Sequence, residues 1–337
     1  MIGGLDFAVR YPFTAEAKKF MEGVELTDRI VELAVARIKK ALDGDDRPRV
    51  VLHDSDKEEE VASFAAARMM LAHLRNPFLT NRFAVNESKL ARSRIDKADA
   101  EEREAVARSF GIVTREEGGM VLDLPTYLKY SPRSVDYLLI NKRLARGMVW
   151  IKESEKNRIV EEAVKKHIEK LPFVRDAPES IVRAGEKLIA ELPKAPGRIS
   201  APLNVKDHPP CVEKLLESAQ KHENIPHQAR YYLATYLLTI KMPDEDIVQI
   251  FSNFPDYAEK ITRYQVGQIK KKAYSVPACA TVLGYGLCCA VCRIGSPLNW
   301  HTLDDGRKGA IRSSMAGSDE RKVAGKPGQA AGGAERK

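Results

Sequence analysis

The chain has 337 residues, 44% hydrophobic and 30% charged, which is enough for about two domains with ordinary apolar cores. Alternating acidic and basic runs with few aromatic residues are typical of exposed helix faces and predict a mainly α-helical protein. No apolar run approaches the ~20 residues of a membrane span, and the start lacks the charged-then-apolar order of a leader. We therefore expect a soluble, cytoplasmic protein.

The formal net charge of +8 is unevenly distributed along the chain. Residues 305–337 contain eight Lys or Arg against four Asp or Glu, a net +4 and so half of the excess. The remainder is only mildly basic, and a nucleic-acid site there would have to be a local basic cluster. The final segment has seven glycines and no aromatic residue, so residues 305–337 are predicted to form a disordered basic tail.

Residues 1–194 are predicted to form a helical domain. Helical spacing of apolar residues predicts helices after Asp28, after a Ser55/Glu58 capping-box pattern, over 155–171 and over 178–192. From 110 to 152 the pattern changes to short apolar runs separated by turn residues. Strands are predicted at 111–113, 120–122 and 148–151, giving a small α/β insertion in the helical domain.

A domain boundary is predicted where three prolines and a glycine fall between Leu192 and Pro202. We place a linker at 195–204 and an all-α C-terminal domain at 205–304. This second domain contains all five cysteines: Cys211, Cys279, Cys288, Cys289 and Cys292. In a reducing compartment, clustered cysteines indicate metal ligands before disulfides.

Four thiolates are the usual ligands of a 4Fe-4S cluster, and 67 residues between Cys211 and Cys279 mean that the fold must assemble the site. A structural zinc site also takes four cysteines, usually as two C-x2-C pairs. Only Cys289 and Cys292 have that spacing. Spacing alone therefore leaves both iron–sulfur and zinc open.

Several segments among and beside the cysteines match a known family. They are Pro209-Pro-Cys211, Asn224 to Arg230, Thr262 to Ile269, Pro277-Ala-Cys279, and Gly286-Leu-Cys288 leading to Pro297-Leu-Asn-Trp300. Over residues 207–301 the sequence resembles the large subunit of archaeal and eukaryotic DNA primase. The resemblance is weaker over the N-terminal domain, where it covers the order of elements and the Tyr11-Pro12-Phe13 start.

The resemblance implies a non-catalytic regulatory subunit at the nucleoid, with the catalytic carboxylates on its partner. The N-terminal domain would bind the small catalytic subunit in a heterodimer. The C-terminal domain would carry a 4Fe-4S cluster and contact the DNA template and the initiating nucleotide during RNA primer synthesis. The implied cluster ligands are Cys211, Cys279, Cys288 and Cys292, with Cys289 as a spare thiol.

Two departures from the family pattern keep an alternative open. Only three residues separate Cys288 from Cys292, and Ser296 stands where the family usually has a histidine before Pro-Leu. Cys289, which forms a C-x2-C pair with Cys292, is the alternative third ligand.

Candidate nucleotide contacts lie at the start of a predicted helix. His227 and Arg230 are three residues apart and so share one face, where the helix N-terminus and an arginine fork both favour phosphate. The resemblance implies that they contact the primer 5′-triphosphate. A second basic group, suited to backbone phosphates, comprises Arg263, Lys270, Lys271 and Lys272.

Two acidic pairs resemble the metal-binding carboxylates of polymerases, but both stand at predicted helix starts, where the helix dipole favours acids. They are Asp54/Asp56 and Asp244/Asp246. No glycine-rich phosphate loop ending in Gly-Lys is present. Two other functions compete with the primase hypothesis: an iron–sulfur DNA-repair enzyme of the glycosylase kind, whose compact cysteine spacing is missing, and a zinc-stabilised interaction protein.

Overall fold

A computed structural model of the protein describes residues 4–51, 53–192 and 208–313. Helices dominate these residues, which confirms the mainly α-helical class. The helices are α1 Leu5–Arg10, α2 Ala15–Lys19, α3 Asp28–Asp43, α4 Asp54–Leu74, α5 Pro77–Ile95, α6 Ala100–Arg108, α7 Leu124–Tyr130, α8 Glu153–Glu169, α9 Glu179–Glu191, α10 Pro210–Gln220, α11 His227–Thr239, α12 Asp244–Ser252, α13 Glu259–Lys271 and α14 Cys279–Gly284. None of the described helices has the length and apolar character needed to cross a membrane.

The N-terminal helices begin at residues that cap them. Thr27 precedes α3 and its hydroxyl accepts a hydrogen bond from the Ile30 amide at 3.3 Å. The capping box predicted at Ser55 is wrong, because α4 begins one residue earlier and its N-cap residue His53 makes no side-chain capping bond. The acids in the first turn of α4 already stabilise that end against the helix dipole.

A buried ion pair joins the three central helices of this domain. Arg37 of α3 donates two hydrogen bonds to the Glu87 carboxylate of α5, at 2.6 and 2.9 Å. It also donates to Glu60 of α4 at 3.1 Å. Arg37 is 9% exposed and Glu87 4%, so both charges are largely removed from water and each is stabilised by the other.

The predicted insertion is present as a four-stranded antiparallel sheet. The strands are β1 Arg115–Glu116, β2 Met120–Asp123, β3 Leu144–Ala145 and β4 Met148–Trp150, in the order β1-β2-β4-β3. The strand predicted at 111–113 is wrong. Gly111 adopts φ +70° at the end of α6, and the Ile112 amide donates back to Ala107, so this segment caps the helix instead of pairing.

The described residues form two large hydrophobic cores, one between residues 7 and 188 and one between residues 212 and 282, and a small cluster of Ala8, Ala17 and Val61. The predicted linker at 195–204 lies outside the described residues. Helices α10 to α13 surround the second core, against which α14 and the 3-10 helix Pro297–Thr302 pack. The fully buried side chains of this domain include Tyr232, Tyr236, Phe254 and Trp300.

The ordered chain continues past the predicted start of the tail. Residues 305–313 are helical, Ile311 is buried, and Arg312 donates to Glu213 at 2.6 Å while lying over the Trp300 ring. The prediction of disorder is therefore wrong for residues 305–313, because one apolar residue and one arginine dock this segment on the domain. Residues 314–337 lie outside the described part of the chain.

The start of α5 contacts the C-terminal domain. Asn81 donates to the His222 carbonyl at 2.7 Å, and Arg82 donates to the Tyr257 carbonyl at 3.0 Å. The Phe78 ring meets the His222 ring edge to face at 5.0 Å. These contacts set the start of α5 against the loops that follow α10 and α12.

Candidate functional site

The five cysteines come from three segments of the C-terminal domain. Cys211 lies in the first turn of α10, Cys279 begins α14, and the other three lie in the loop between α14 and the 3-10 helix. All five thiols are free and half-buried. The loop is shaped by Gly286 and Gly295, which adopt φ +70° and +71°, and the Cys279 amide donates to the Gly295 carbonyl at 2.9 Å.

Burial and neighbouring thiols raise the pKa of several of these cysteines. The pKa of Cys211 is raised to about 12, mainly by burial, with smaller effects from Cys289, Cys288 and Cys292 and an opposing effect from the Tyr232 hydroxyl. The pKa of Cys292 is raised to about 11, again mainly by burial, with smaller effects from Cys288, Cys279 and Cys289. The pKa of Cys279 is raised by burial and by Cys288. A positive metal centre would offset this cost, because it binds the thiolate form.

The thiols could hold either a single metal ion or a metal cluster. Across the part of the chain that the structure describes, no three His, Cys, Asp or Glu side chains converge closely enough for one metal ion. A zinc ion needs four donors about 2.3 Å from one point, whereas the thiolates of a cubane bind separate irons and stand farther apart. Cys211, Cys279, Cys288 and Cys292 supply the four thiols that either group requires.

Two buried tyrosines of α11 line the same region. The Tyr232 hydroxyl lies 3.1 Å from Cys211 Sγ. The Tyr236 hydroxyl lies 3.2 Å from His208 Nδ1 and 3.0 Å from His301 Nε2. Burial raises the pKa of both tyrosines, with a further effect from Cys211. Both side chains are also part of the second core, and their i, i+4 spacing in the sequence indicates that they share one helix face.

His227 and Arg230 share the first turn of α11, as predicted from their spacing. His227 is exposed, but Arg230 is only half-exposed. The Arg230 guanidinium donates to the Ile225 carbonyl at 3.2 Å, to Asn224 Oδ1 at 2.6 Å and to the Asp256 carboxylate. It also lies 5.4 Å from the centre of the Phe254 ring. Arg230 is thus oriented by the domain itself, and it is less exposed than we expected.

Two members of the second basic group, Arg263 and Lys270, form ion pairs on the surface. Arg263 binds the Glu245 carboxylate with both nitrogens of its fork, at 2.6 and 2.9 Å, and Lys270 donates to Asp244 at 2.8 Å. Lys271 and Lys272 are exposed. Exposed ion pairs are weak, so phosphate could compete for the paired members as well.

Asp54, Asp56 and Asp244 of the acidic pairs form salt bridges at helix starts. In the first turn of α4, Asp54 accepts from Lys57 at 2.9 Å and Asp56 from Arg29 at 3.2 Å. The acids of α12 likewise face the basic side chains of α13. Both pairs therefore serve the helix ends and their neighbours, as the helix-dipole interpretation predicted.

Comparison with known proteins places these features in one family. Residues 201–303 match the family model that describes the C-terminal domain of the eukaryotic and archaeal DNA primase large subunit. The chain is 30% identical to the DNA primase large subunit PriL of Archaeoglobus fulgidus, over 71% of this chain and 67% of the relative. It is 28% identical to PriL of Methanocella arvoryzae over 93% of both chains, and 27% identical to PriL of Halobacterium salinarum over 88% and 93%. The chain therefore belongs to the family of DNA primase large subunits.

Proposed function

We propose that the protein is the regulatory subunit of a DNA primase, which binds a small catalytic subunit and supports RNA primer initiation through a 4Fe-4S domain. The observation that carries this proposal is that the region matched by the family model contains five half-buried cysteines from three segments, two of which, Cys211 and Cys288, pack against the same core. The cluster would join the start of α10, the start of α14 and the following loop. Ligands so far apart in sequence make metal binding part of the folding free energy.

The third ligand is assigned to Cys288, with Cys211, Cys279 and Cys292 as the other three. Cys288 raises the pKa of each of these thiols, whereas Cys289 acts on Cys211 and Cys292. Cys288 also packs against the second core together with Cys211. The Sγ atoms of Cys288 and Cys292 lie 3.3 and 3.9 Å from the same Ala290 carbonyl, which supports pairing Cys288 with Cys292 over the C-x2-C alternative.

The role in initiation is positioning of the nucleotide. His227 and the N-terminus of α11 offer donors to a triphosphate, and Arg230 adds a fork that Asp256 and Asn224 hold in one orientation. Holding the first nucleotide in place lowers the entropic cost of joining it to the second at the partner's metal site. The exposed Lys271 and Lys272 would attract template phosphates.

The insertion offers a surface for the small catalytic subunit. Ile140 is 89% exposed and Leu144 is 46% exposed, four residues apart beside the edge strand β3. An edge strand with exposed apolar side chains offers a partner both unpaired backbone groups and apolar area. Ile140→Asp should abolish co-purification of the small subunit, while Phe173→Asp, at an exposed apolar site outside the insertion, should not.

The main test is anaerobic purification of the full chain co-expressed with a small primase subunit. We expect a stable heterodimer, a brown colour with absorbance near 400 nm, about four irons and four sulfides per large subunit, and primer synthesis by the pair. Stoichiometric zinc without iron would refute the cluster. Failure to bind the small subunit would refute the role as its regulatory partner.

A further inference from the structure

The hydroxyl of Tyr232 reaches a candidate cluster ligand from inside the protein. It lies 3.1 Å from Cys211 Sγ, and the Tyr232 side chain is fully buried in the second core. The ring is surrounded by packed side chains, which leave it little freedom to turn away. The contact with the sulfur is therefore a fixed feature of the domain.

A second tyrosine, Tyr236, fixes the orientation of this part of α11. The Tyr236 ring lies 6.4 Å from the Tyr232 ring, one helical turn along α11. Its hydroxyl is within hydrogen-bond distance of two imidazoles, His208 before α10 and His301 in the 3-10 helix. Because these histidines belong to other segments, they fix the rotation of α11 and hence the direction of the Tyr232 hydroxyl.

The direction of the hydrogen bond follows from the chemistry of a cluster ligand. A cysteine that binds iron is a thiolate and can only accept a hydrogen bond, whereas a phenol keeps its proton at neutral pH. Tyr232 must then donate to the Cys211 sulfur. A hydrogen bond to a ligand sulfur favours the more negatively charged state of a cluster and so raises its reduction potential.

We propose that Tyr232 is a positioning residue for the iron–sulfur cluster, whose O–H donates to the Cys211 sulfur, holds this ligand on its iron and raises the reduction potential of the cluster. The inference rests on the cluster proposed above. Tyr232, which is not itself a ligand, would then contribute both to the retention of the cluster and to its reduction potential.

The test compares Tyr232→Phe with Tyr231→Phe in the full chain purified without oxygen. Phenylalanine keeps the buried ring of residue 232 and removes the hydroxyl alone. Tyr231 is a matched control on the same helix, since its ring meets the Tyr274 ring edge to face at 5.9 Å and not a cysteine. The measurements are iron and sulfide per chain, the reduction potential by spectroelectrochemical titration, and the rate of iron release to a chelator.

We expect Tyr232→Phe to lower the equilibrium constant for cluster reduction about three- to tenfold, tenfold being about 59 mV for a one-electron couple. Iron release from Tyr232→Phe should also be faster, and Tyr231→Phe should match the wild type in both respects. If Tyr232→Phe cannot be fully loaded while Tyr231→Phe can, the loss of iron itself supports the holding role.

Two results would overturn the inference and leave the cluster in place. One is an unchanged potential and release rate in a Tyr232→Phe protein that contains wild-type iron. The other is an equal shift in Tyr231→Phe, which would mean that any change in α11 alters the site. Zinc without iron in the wild type would instead overturn the cluster itself, and this inference with it.

Discussion

Replacement of Arg230 tests whether the start of α11 binds the initiating triphosphate. Arg230→Ala removes a charge-assisted fork worth about 1.5–3 kcal/mol to a charged ligand. De novo primer synthesis by the reconstituted pair should then fall by roughly ten- to a hundredfold, because about 1.4 kcal/mol is a factor of ten. Extension of a pre-formed primer that lacks a 5′-triphosphate should be nearly unchanged, since that reaction does not use the contact.

The structure adds a second effect of this substitution. Arg230 also donates to Asn224, the Ile225 carbonyl and Asp256, so alanine leaves the half-buried Asp256 carboxylate without its cation. We expect the C-terminal domain to lose about 1–3 kcal/mol of stability. Both reactions must therefore be assayed well below the melting temperature of the variant, measured by circular dichroism.

Two further variants separate binding from stability. Asp256→Asn weakens the internal ion pair but keeps the guanidinium, so it should destabilise the domain with a smaller effect on initiation. Arg183→Ala removes an exposed arginine that lies outside both basic groups and serves as the charge control. Equal loss of initiation and of extension in Arg230→Ala, at a temperature where the variant is folded, would refute the triphosphate role.

Three other predictions follow from the same contacts. Cys288→Ser should lose iron and destabilise the domain while Cys289→Ser keeps both, as measured by iron analysis and thermal melting; the reverse result would establish the C-x2-C pair. Truncation after residue 313 should leave the melting temperature nearly unchanged, whereas removing nine residues more should lower it, because Ile311 is buried. Glu87→Gln breaks a buried ion pair and should lower the free energy of unfolding, measured in urea, by about 3 kcal/mol. Glu59→Gln, in an exposed pair, should lower it by under about 1 kcal/mol. Equal losses in the two variants would contradict this reasoning.

Local patterns in the sequence determined much of this protein. Helical spacing of apolar residues predicted α3, α4, α8 and α9 to within two residues, because amphipathic periodicity depends on neighbours along one helix. The change of pattern after residue 110 predicted the insertion for the same reason. Family-specific segments around the cysteines predicted the family, which the comparisons confirm.

Other features depend on long-range contacts that no local pattern records. Residues 305–313 read as disordered, but Glu213 and Trp300, about a hundred and about ten residues away, give Arg312 its partners. Tyr232 lies among apolar residues of its helix in the sequence, and only the packing of α11 against α10 brings its hydroxyl beside Cys211. In each case the tertiary structure decided the outcome, because the partner group lies on another segment and is brought near only by packing of the whole domain.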